Sequence, residues 1–568
     1  LLYVDADDQA VWTVAVGDGT GGGRRDGAGD AVPRRITPAA PEGCVDRYGE
    51  MRVVPGTNWL AALRERHGDG LVVDEIVAVD MTGVAPPVPL ASGRDLYAAP
   101  RPSPDARFLA YLAWDLPAMP WESSELWVVP LHTDRSSGIA AAGSGRRVAG
   151  GPTESVGQPE WNGAGGLLFV SDAAGWWQPH RLLPDREVER LSDEPADFHA
   201  PDWAFGQRTM APLADATVVA RVRRGGRDEL TIVGGRGRAG TARLVGAELD
   251  LASVAAVQPL PEGDAVAVLA TTPTDAAGLY RVAADGATEL VHRPAPALLH
   301  REHISVARHV SFPTTDGSLS HALFFGPRAP GVSGPEGDRP PLVVFCHGGP
   351  TGSAEPGLDL LVQWWTTRGL AVAVVDYRGS SGYGRAYREA LRGRWGEVDA
   401  SDCRDASTHL VAEGLGDGRR MLVRGSSSGG LTALRALGRG TPFAAAVTLA
   451  PVTDLAGLVE TTHKFESGYF EGLVGPWPEE AARYEARSPA RHPEDIEAPV
   501  LLFQGADDPV VPPAQARALA DAVTGRGGRC ELVVFAGEGH GFRRADSLAA
   551  LARHELAFVG EVLGLQLR

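Results

Sequence analysis

The segment Gly425-Ser426-Ser427-Ser428-Gly429-Gly430 constrains this chain more than any other. The apolar run Met421-Leu422-Val423 leads into it, and the helix-forming run Leu431 to Leu437 leads out. Strand, glycine-flanked serine, helix is the context a nucleophile elbow requires. So sharp a turn holds its central residue near φ > 0 and leaves its neighbours little room for side chains. Of the three serines, only Ser427 has glycine two places before it (Gly425) and two places after it (Gly429). A plain Gly/Ser loop would read the same way locally, so the remaining chain has to decide.

Continuous apolar runs recur through the second half: Leu342–Cys346, Leu370–Val375, Met421–Val423, Ala444–Leu449, Val500–Phe503 and Glu531–Phe535. Such runs suit strands buried on both faces. Helical stretches lie between them, among them 399–413 and 513–523. The alternation predicts an α/β domain with a mainly parallel sheet, whose active groups lie at the carboxyl ends of strands. Several strand ends carry useful chemistry: His347-Gly348-Gly349-Pro350, then Ser427, then Asp507-Asp508-Pro509-Val510, then Gly539-His540-Gly541. Serine, aspartate, histidine is the chain order of an α/β-hydrolase triad. Ser427 would attack, His540 would take and later return the proton, and an aspartate, Asp507 or Asp508, would hold the imidazole tautomer. The oxyanion would be met by the backbone N–H of Ser428 and by that of Gly349. His347 reads as support for the Gly349 turn.

The first half differs. Short β-type runs separated by Gly, Pro and Asp extend to about residue 300, for example 10–16, 71–73, 125–129, 166–170, 217–222 and 265–269. Turn-then-strand units at Pro102, Pro159, Pro201 and Pro259 recur roughly every 40–55 residues, the span of a four-stranded propeller blade. The expectation is an all-β propeller of six or seven blades over 1–300, a linker and start of the hydrolase domain over 301–341, and the α/β-hydrolase catalytic domain over 342–568. Trp59 to Arg66 is the clearest helical candidate in the first half. Ser311 to Leu319 reads as a hairpin on a D-G turn. Glu122 and Glu154, in Trp-rich or Gly-rich loops, are candidates to bind a substrate ammonium.

The totals exclude several classes. A net charge of −18 over 568 residues argues against nucleic acid or an anionic membrane as the main partner. No run of about 18 apolar residues exists to span a bilayer. The four cysteines, Cys44, Cys346, Cys403 and Cys530, are scattered, so neither a disulfide framework nor a metal site is expected, and no cofactor is called for. A reducing, cytoplasmic setting fits. The chain opens Leu-Leu-Tyr-Val-Asp without Met, a basic segment or an apolar leader; no signal peptide is visible, and the start is expected to be trimmed.

At His347–Pro350, Tyr377-Arg378-Gly379-Ser380-Ser381-Gly382-Tyr383-Gly384, Trp395-Gly396 with Asp402, Gly425–Gly430, Asp507–Pro512 and Gly539–Gly541, the chain resembles the prolyl oligopeptidase family of serine peptidases, in its acylaminoacyl-peptidase and dipeptidyl-aminopeptidase branch. The resemblance covers about Leu342 to Phe542. It implies an N-terminal propeller and an enclosed site that admits short peptides. It favours Asp507, the first of the pair, as the triad aspartate. It implies an apolar primary pocket from Val452, Phe465, Tyr469 and Val510, fitted to proline or a hydrophobic side chain. A homo-oligomer is open. Relatives of the prolyl-cleaving type place a tyrosine hydroxyl in the oxyanion hole; the His-Gly-Gly-Pro turn here favours Gly349 instead. Ser428 stands where relatives often carry Ala, Gly or Tyr. The expected activity is exopeptidase cleavage of short peptides. The alternatives are an esterase or amidase acting on an aminoacylated small molecule, and a catalytically dead binding protein.

Overall fold

The computed structural model describes residues 1–14, 32–134, 138–163, 165–215, 217–234, 243–294 and 299–567. Ahead of residue 300 these residues form six small antiparallel sheets of three to five strands. Most expected runs lie in them, as Leu71–Asp80, Glu125–Asp134, Leu167–Ser171, Val218–Arg224 and Ala265–Thr271. The first run appears as Val11–Thr13, and Ala15 and Val16 lie outside the described residues.

The helix expected at Trp59–Arg66 is instead a strand, Trp59–Gly68, paired antiparallel with Cys44–Val53 and Leu71–Asp80. Leu60 and Ala62 enter one apolar cluster, and Ala61 and Leu63 enter another. The strand is buried on both faces, so its apolar residues run together and imitate a helical stripe.

By compactness the described chain forms two units. The first comprises Leu1–Glu194, Asp202–Val218 and Val233–Ala242. The second comprises Pro195–Pro201, Val219–Ile232 and Arg243–Arg568. This division differs from the expected boundary near residue 300. Within the second unit, the sheet Ser253–His292 packs against the stretch after residue 350. Leu358 N–H donates to the Thr272 carbonyl at 3.1 Å, and a Cβ on Gly357 would lie 2.1 Å from Thr271 Oγ1.

The second unit is built on an eight-stranded sheet. Its order is Arg308–Pro313, Leu319–Phe325, Ala371–Asp376, Leu342–Cys346, Met421–Ser426, Ala445–Leu449, Val500–Gly505 and Cys530–Phe535. The first two strands are the expected hairpin. They pair antiparallel, and the hairpin joins Ala371–Asp376 antiparallel; every other pairing is parallel. Alternate residues of each central strand feed opposite cores. Leu342, Val344 and Cys346 enter one, and Val343 and Phe345 enter the other. Helices Val398–Ala412, Ser428–Ala436 and Pro513–Gly525 fall where the sequence places them. Among the described residues no helix is long and apolar enough to cross a membrane.

Candidate active site

Ser427 follows the strand Met421–Ser426 and caps the helix Ser428–Ala436 with φ 55° and ψ −123°. A non-glycine residue held there carries strain of about 1–3 kcal/mol, retained only where its surroundings force it. The surroundings do so here. A Cβ at Gly425 would lie 1.9 Å from the Gly429 carbonyl oxygen, and one at Gly429 would lie 2.2 Å from that of Cys346. The two glycines let strand, turn and helix close on one another, which explains why the register singles out Ser427.

His540 follows the strand Cys530–Phe535, and its Nδ1 pairs with Asp508 Oδ2 at 2.8 Å. Asp508, not Asp507, is therefore the aspartate that holds the imidazole, and the expectation drawn from the resemblance is corrected. The reason lies in the turn after Val500–Gly505. Asp507 N–H donates to the Glu538 carbonyl at 3.0 Å, and its side chain is exposed. Asp508 is 5% exposed and turns inward. Its Oδ1 accepts from Val510 N–H at 2.9 Å and Val511 N–H at 3.0 Å, and Oδ2 also accepts from Gln504 Nε2 at 3.2 Å. Burial pushes this carboxyl up, but the bonds from His540 and the two amides outweigh it and hold the group below its ordinary range. It is an ionised, four-donor anchor. Among the described residues no hydrogen bond joins Ser427 Oγ to His540; catalytic contacts commonly shorten only in the substrate complex.

The two backbone groups expected to meet an oxyanion lie at the start of the helix after Ser427 and in the turn after Leu342–Cys346. Ser428 N–H opens its helix, and Gly349 sits in a turn with φ 125°. Neither N–H donates to an acceptor among the described residues. A helix N-terminus adds partial positive charge where an oxyanion would form. The Ser428 hydroxyl is buried and without a partner, consistent with a position used through its backbone. A Cβ on Gly348 would lie 3.8 Å from Ser427 Cβ, so this turn lies against Ser427.

His347 supports that turn, as expected. Its Nε2 pairs with Ser380 Oγ at 2.7 Å, its ring stacks on Tyr377 with centroids 4.3 Å apart, and burial pushes its pKa down to about 4. It stays neutral at pH 7. The Tyr377–Gly384 motif is itself fixed by Arg378, which grips Asp402 through Nη2 at 2.7 Å and reaches Asp316 at 2.7 Å. Cys346 and Cys403, 57 residues apart, meet with Sγ atoms 3.4 Å apart as free thiols; the linear sequence held no sign of this pairing. Among the described residues no cluster could hold a metal.

The pocket candidates are mixed. Val452 is buried, and its N–H donates to the Ser427 carbonyl at 3.2 Å. Val510 and Phe465 are partly exposed. Tyr469 is buried, and its hydroxyl meets Thr351 Oγ1 at 2.6 Å and Thr351 N–H at 3.2 Å. It braces the residue after the Gly349-Pro350 turn. Glu122 and Glu154 belong to the first unit. Glu122 accepts from Met119 N–H at 3.0 Å, and Glu154 accepts from Ser171 Oγ at 2.6 Å.

A family model described as the prolyl oligopeptidase family matches residues 356–566. Dipeptidyl aminopeptidase BIII of Pseudoxanthomonas mexicana is 31% identical over 231 residues, 39% of this chain and 33% of that protein; the chain thus matches about a third of that relative's length. Among solved structures, a puromycin hydrolase superposes with a TM-score of 0.90 at 32% identity, covering 100% of this chain and 84% of that one. A Mycobacterium tuberculosis puromycin-hydrolyzing peptidase gives 0.89 at 33% identity, covering 100% and 84%. With the Ser427 elbow, the Asp508–His540 pair and this full-length likeness together, the chain belongs to the prolyl oligopeptidase family.

Proposed function

We propose that this protein is a serine peptidase that removes residues from short peptides through an acyl-enzyme on Ser427. The observation that carries the reading is the strained Ser427 turn, which follows the carboxyl end of one strand of the sheet whose later strands lead to the paired Asp508 and His540. Ser427 Oγ attacks the scissile carbonyl while His540 Nε2 takes its proton. Asp508 keeps the other imidazole proton on Nδ1 and stabilises the cation. Ser428 N–H and Gly349 N–H receive the oxyanion. His540 then protonates the leaving amine, and water repeats the sequence to free the enzyme. The primary pocket is apolar, drawn from Val452, Phe465 and Val510 with Tyr469 behind, and takes proline or a hydrophobic side chain. The six small sheets are six blades of a propeller. The free cysteines suit a cytoplasmic enzyme.

A second reading has a specific observation in its favour. The puromycin hydrolases resemble the chain over its whole length, which supports amide hydrolysis of an aminoacylated small molecule by the same triad. A fluorophosphonate probe should label the wild type and leave Ser427→Ala unlabelled; an unlabelled, folded wild type refutes both readings. Aminoacyl, X-Pro and acyl-aminoacyl anilides, puromycin and simple esters then separate substrates. Ester turnover without any amide turnover refutes the peptidase.

A further inference from the structure

The turn that presents Gly349 N–H is followed by the loop Thr351–Glu355, which the hydrolase sheet fixes only in part: Asp376 accepts from Ala354 N–H at 2.6 Å. Besides Tyr469 and Ser381, further support comes from two residues far earlier in the chain but in the same compact unit. Arg223 is buried, and its planar guanidinium bonds along two edges. Its Nε donates to Asp228 Oδ1 at 2.7 Å. Its Nη1 donates to Ser353 Oγ, and Nη2 donates to both Glu355 oxygens at 3.1 and 3.2 Å. Asp228 is itself pinned by Val254 N–H at 2.9 Å and Arg221 at 3.1 Å. A fixed fork between a pinned carboxylate and a loop transmits position, which a single ammonium could not do.

Asp197 completes the arrangement. Its carbonyl accepts from Arg223 N–H at 2.9 Å. Its Oδ2 accepts from Gly382 N–H at 3.1 Å and Gly384 N–H at 3.0 Å. The Arg223 stem lies so close to Gly382 that a Cβ there would sit 2.7 Å from Arg223 Cδ. The loop thus held is the one that supports the oxyanion turn, since Ser380 Oγ meets His347 Nε2 at 2.7 Å and Ser381 N–H donates to the Gly352 carbonyl at 2.7 Å. Every link from Arg223 and Asp197 to the turn is a hydrogen bond or a van der Waals contact.

We infer that Arg223 and Asp197 are positioning residues for the oxyanion turn: they set where Gly349 N–H points, and so govern turnover rather than substrate affinity. The inference rests on the proposed serine-hydrolase reading. A bond that matters only when charge develops on the carbonyl lowers kcat and leaves KM in place. Loss of an oxyanion donor costs about 10²–10³ in kcat, which caps the effect of misplacing one.

The test uses the full chain and frees the outer edge of the fork from the loop side. Ser353→Ala/Glu355→Gln alters a residue whose carboxylate is 59% exposed, so folding is little threatened. Arg223→Lys and Asp197→Asn are measured beside it. Fluorophosphonate titration of Ser427 in the wild type comes first, because a wild type that does not label refutes the serine-hydrolase reading itself. Given labelling, the expected result is a kcat per titrated site lowered about 10-fold or more on an anilide. KM should stay within about two-fold, the labelling rate should fall in step, and the thermal midpoint should hold. Arg223→Lys, which keeps the charge but not the planar fork, should lose as much as the other two. Wild-type kcat per titrated site in all three variants, or a loss carried by KM alone, overturns the inference.

Discussion

Asp507→Asn and Asp508→Asn are nearly isosteric changes at adjacent positions, and the structure predicts opposite outcomes. In Asp508→Asn, one side-chain oxygen must continue to accept from Val510 and Val511 N–H, as Oδ1 does now. That orientation turns the new NH₂ toward His540 Nδ1, where Oδ2 now sits at 2.8 Å. An amide donor there forces Nδ1 to accept and places the imidazole proton on Nε2. The ring then faces Ser427 as a donor and cannot take its proton. The same tautomer reversal in a serine triad costs about 10⁴ in kcat, equivalent to about 5 kcal/mol of barrier. Asp507→Asn changes an exposed side chain whose backbone N–H carries its structural bond, so kcat should stay within about two-fold. The assay is steady-state hydrolysis of an aminoacyl anilide at pH 7–8, normalised by fluorophosphonate titration and with circular dichroism confirming the fold. Asp508→Asn active within ten-fold of wild type, or Asp507→Asn inactive while folded, refutes the assignment.

Three further outcomes follow from packing and charge. Gly429→Ala places a methyl 2.2 Å from the Cys346 carbonyl and 2.5 Å from that of His347; activity should vanish, and denaturant unfolding should show a loss of about 3 kcal/mol or more. Glu555→Ala leaves Arg424, three residues before the nucleophile, buried without its partner at 2.6 Å, and should cost about 3–5 kcal/mol in the same measurement. Burial pushes the Asp399 carboxyl up to about 6 despite bonds from Thr432 and Gly396. A raised pKa contributes stability below the unfolded value, near 4, and loses it as pH rises through about 6. Asn can keep both bonds without the charge. Asp399→Asn should therefore gain thermal stability over wild type as pH rises from 4 to 7, by up to about 3 kcal/mol, and a difference that does not grow with pH refutes this.

Much of the second half was legible because its strands are buried on both faces. Short continuous apolar runs such as Leu342–Cys346 and Val500–Phe503, alternating with longer helical stretches, fit the central strands of a parallel sheet. The elbow was legible for a related reason. Steric demand at Gly425 and Gly429 admits no side chain, so the sequence shows the geometry directly. The same double burial misled at Trp59–Gly68, where both faces of a strand are apolar and no helix forms.

What could not be read is where a choice depends on partners distant in sequence. Asp507 and Asp508 are the same residue type in one turn. The selection is made when Asp507 N–H bonds to Glu538, 31 residues on, which turns one carboxylate out and the next one in. Arg223 and Asp197 are harder still, because their partners lie 130 and 185 residues away and neither sits in a motif. Local sterics and periodicity are written in consecutive residues, but a side chain's direction is settled by whichever backbone group reaches it after folding. Ser427 could thus be singled out among three serines by its register and given its partners by the strand ends that follow, whereas the aspartate that pairs with His540 and the arginine that we infer holds the oxyanion turn become visible only once the sheet has brought their partners together.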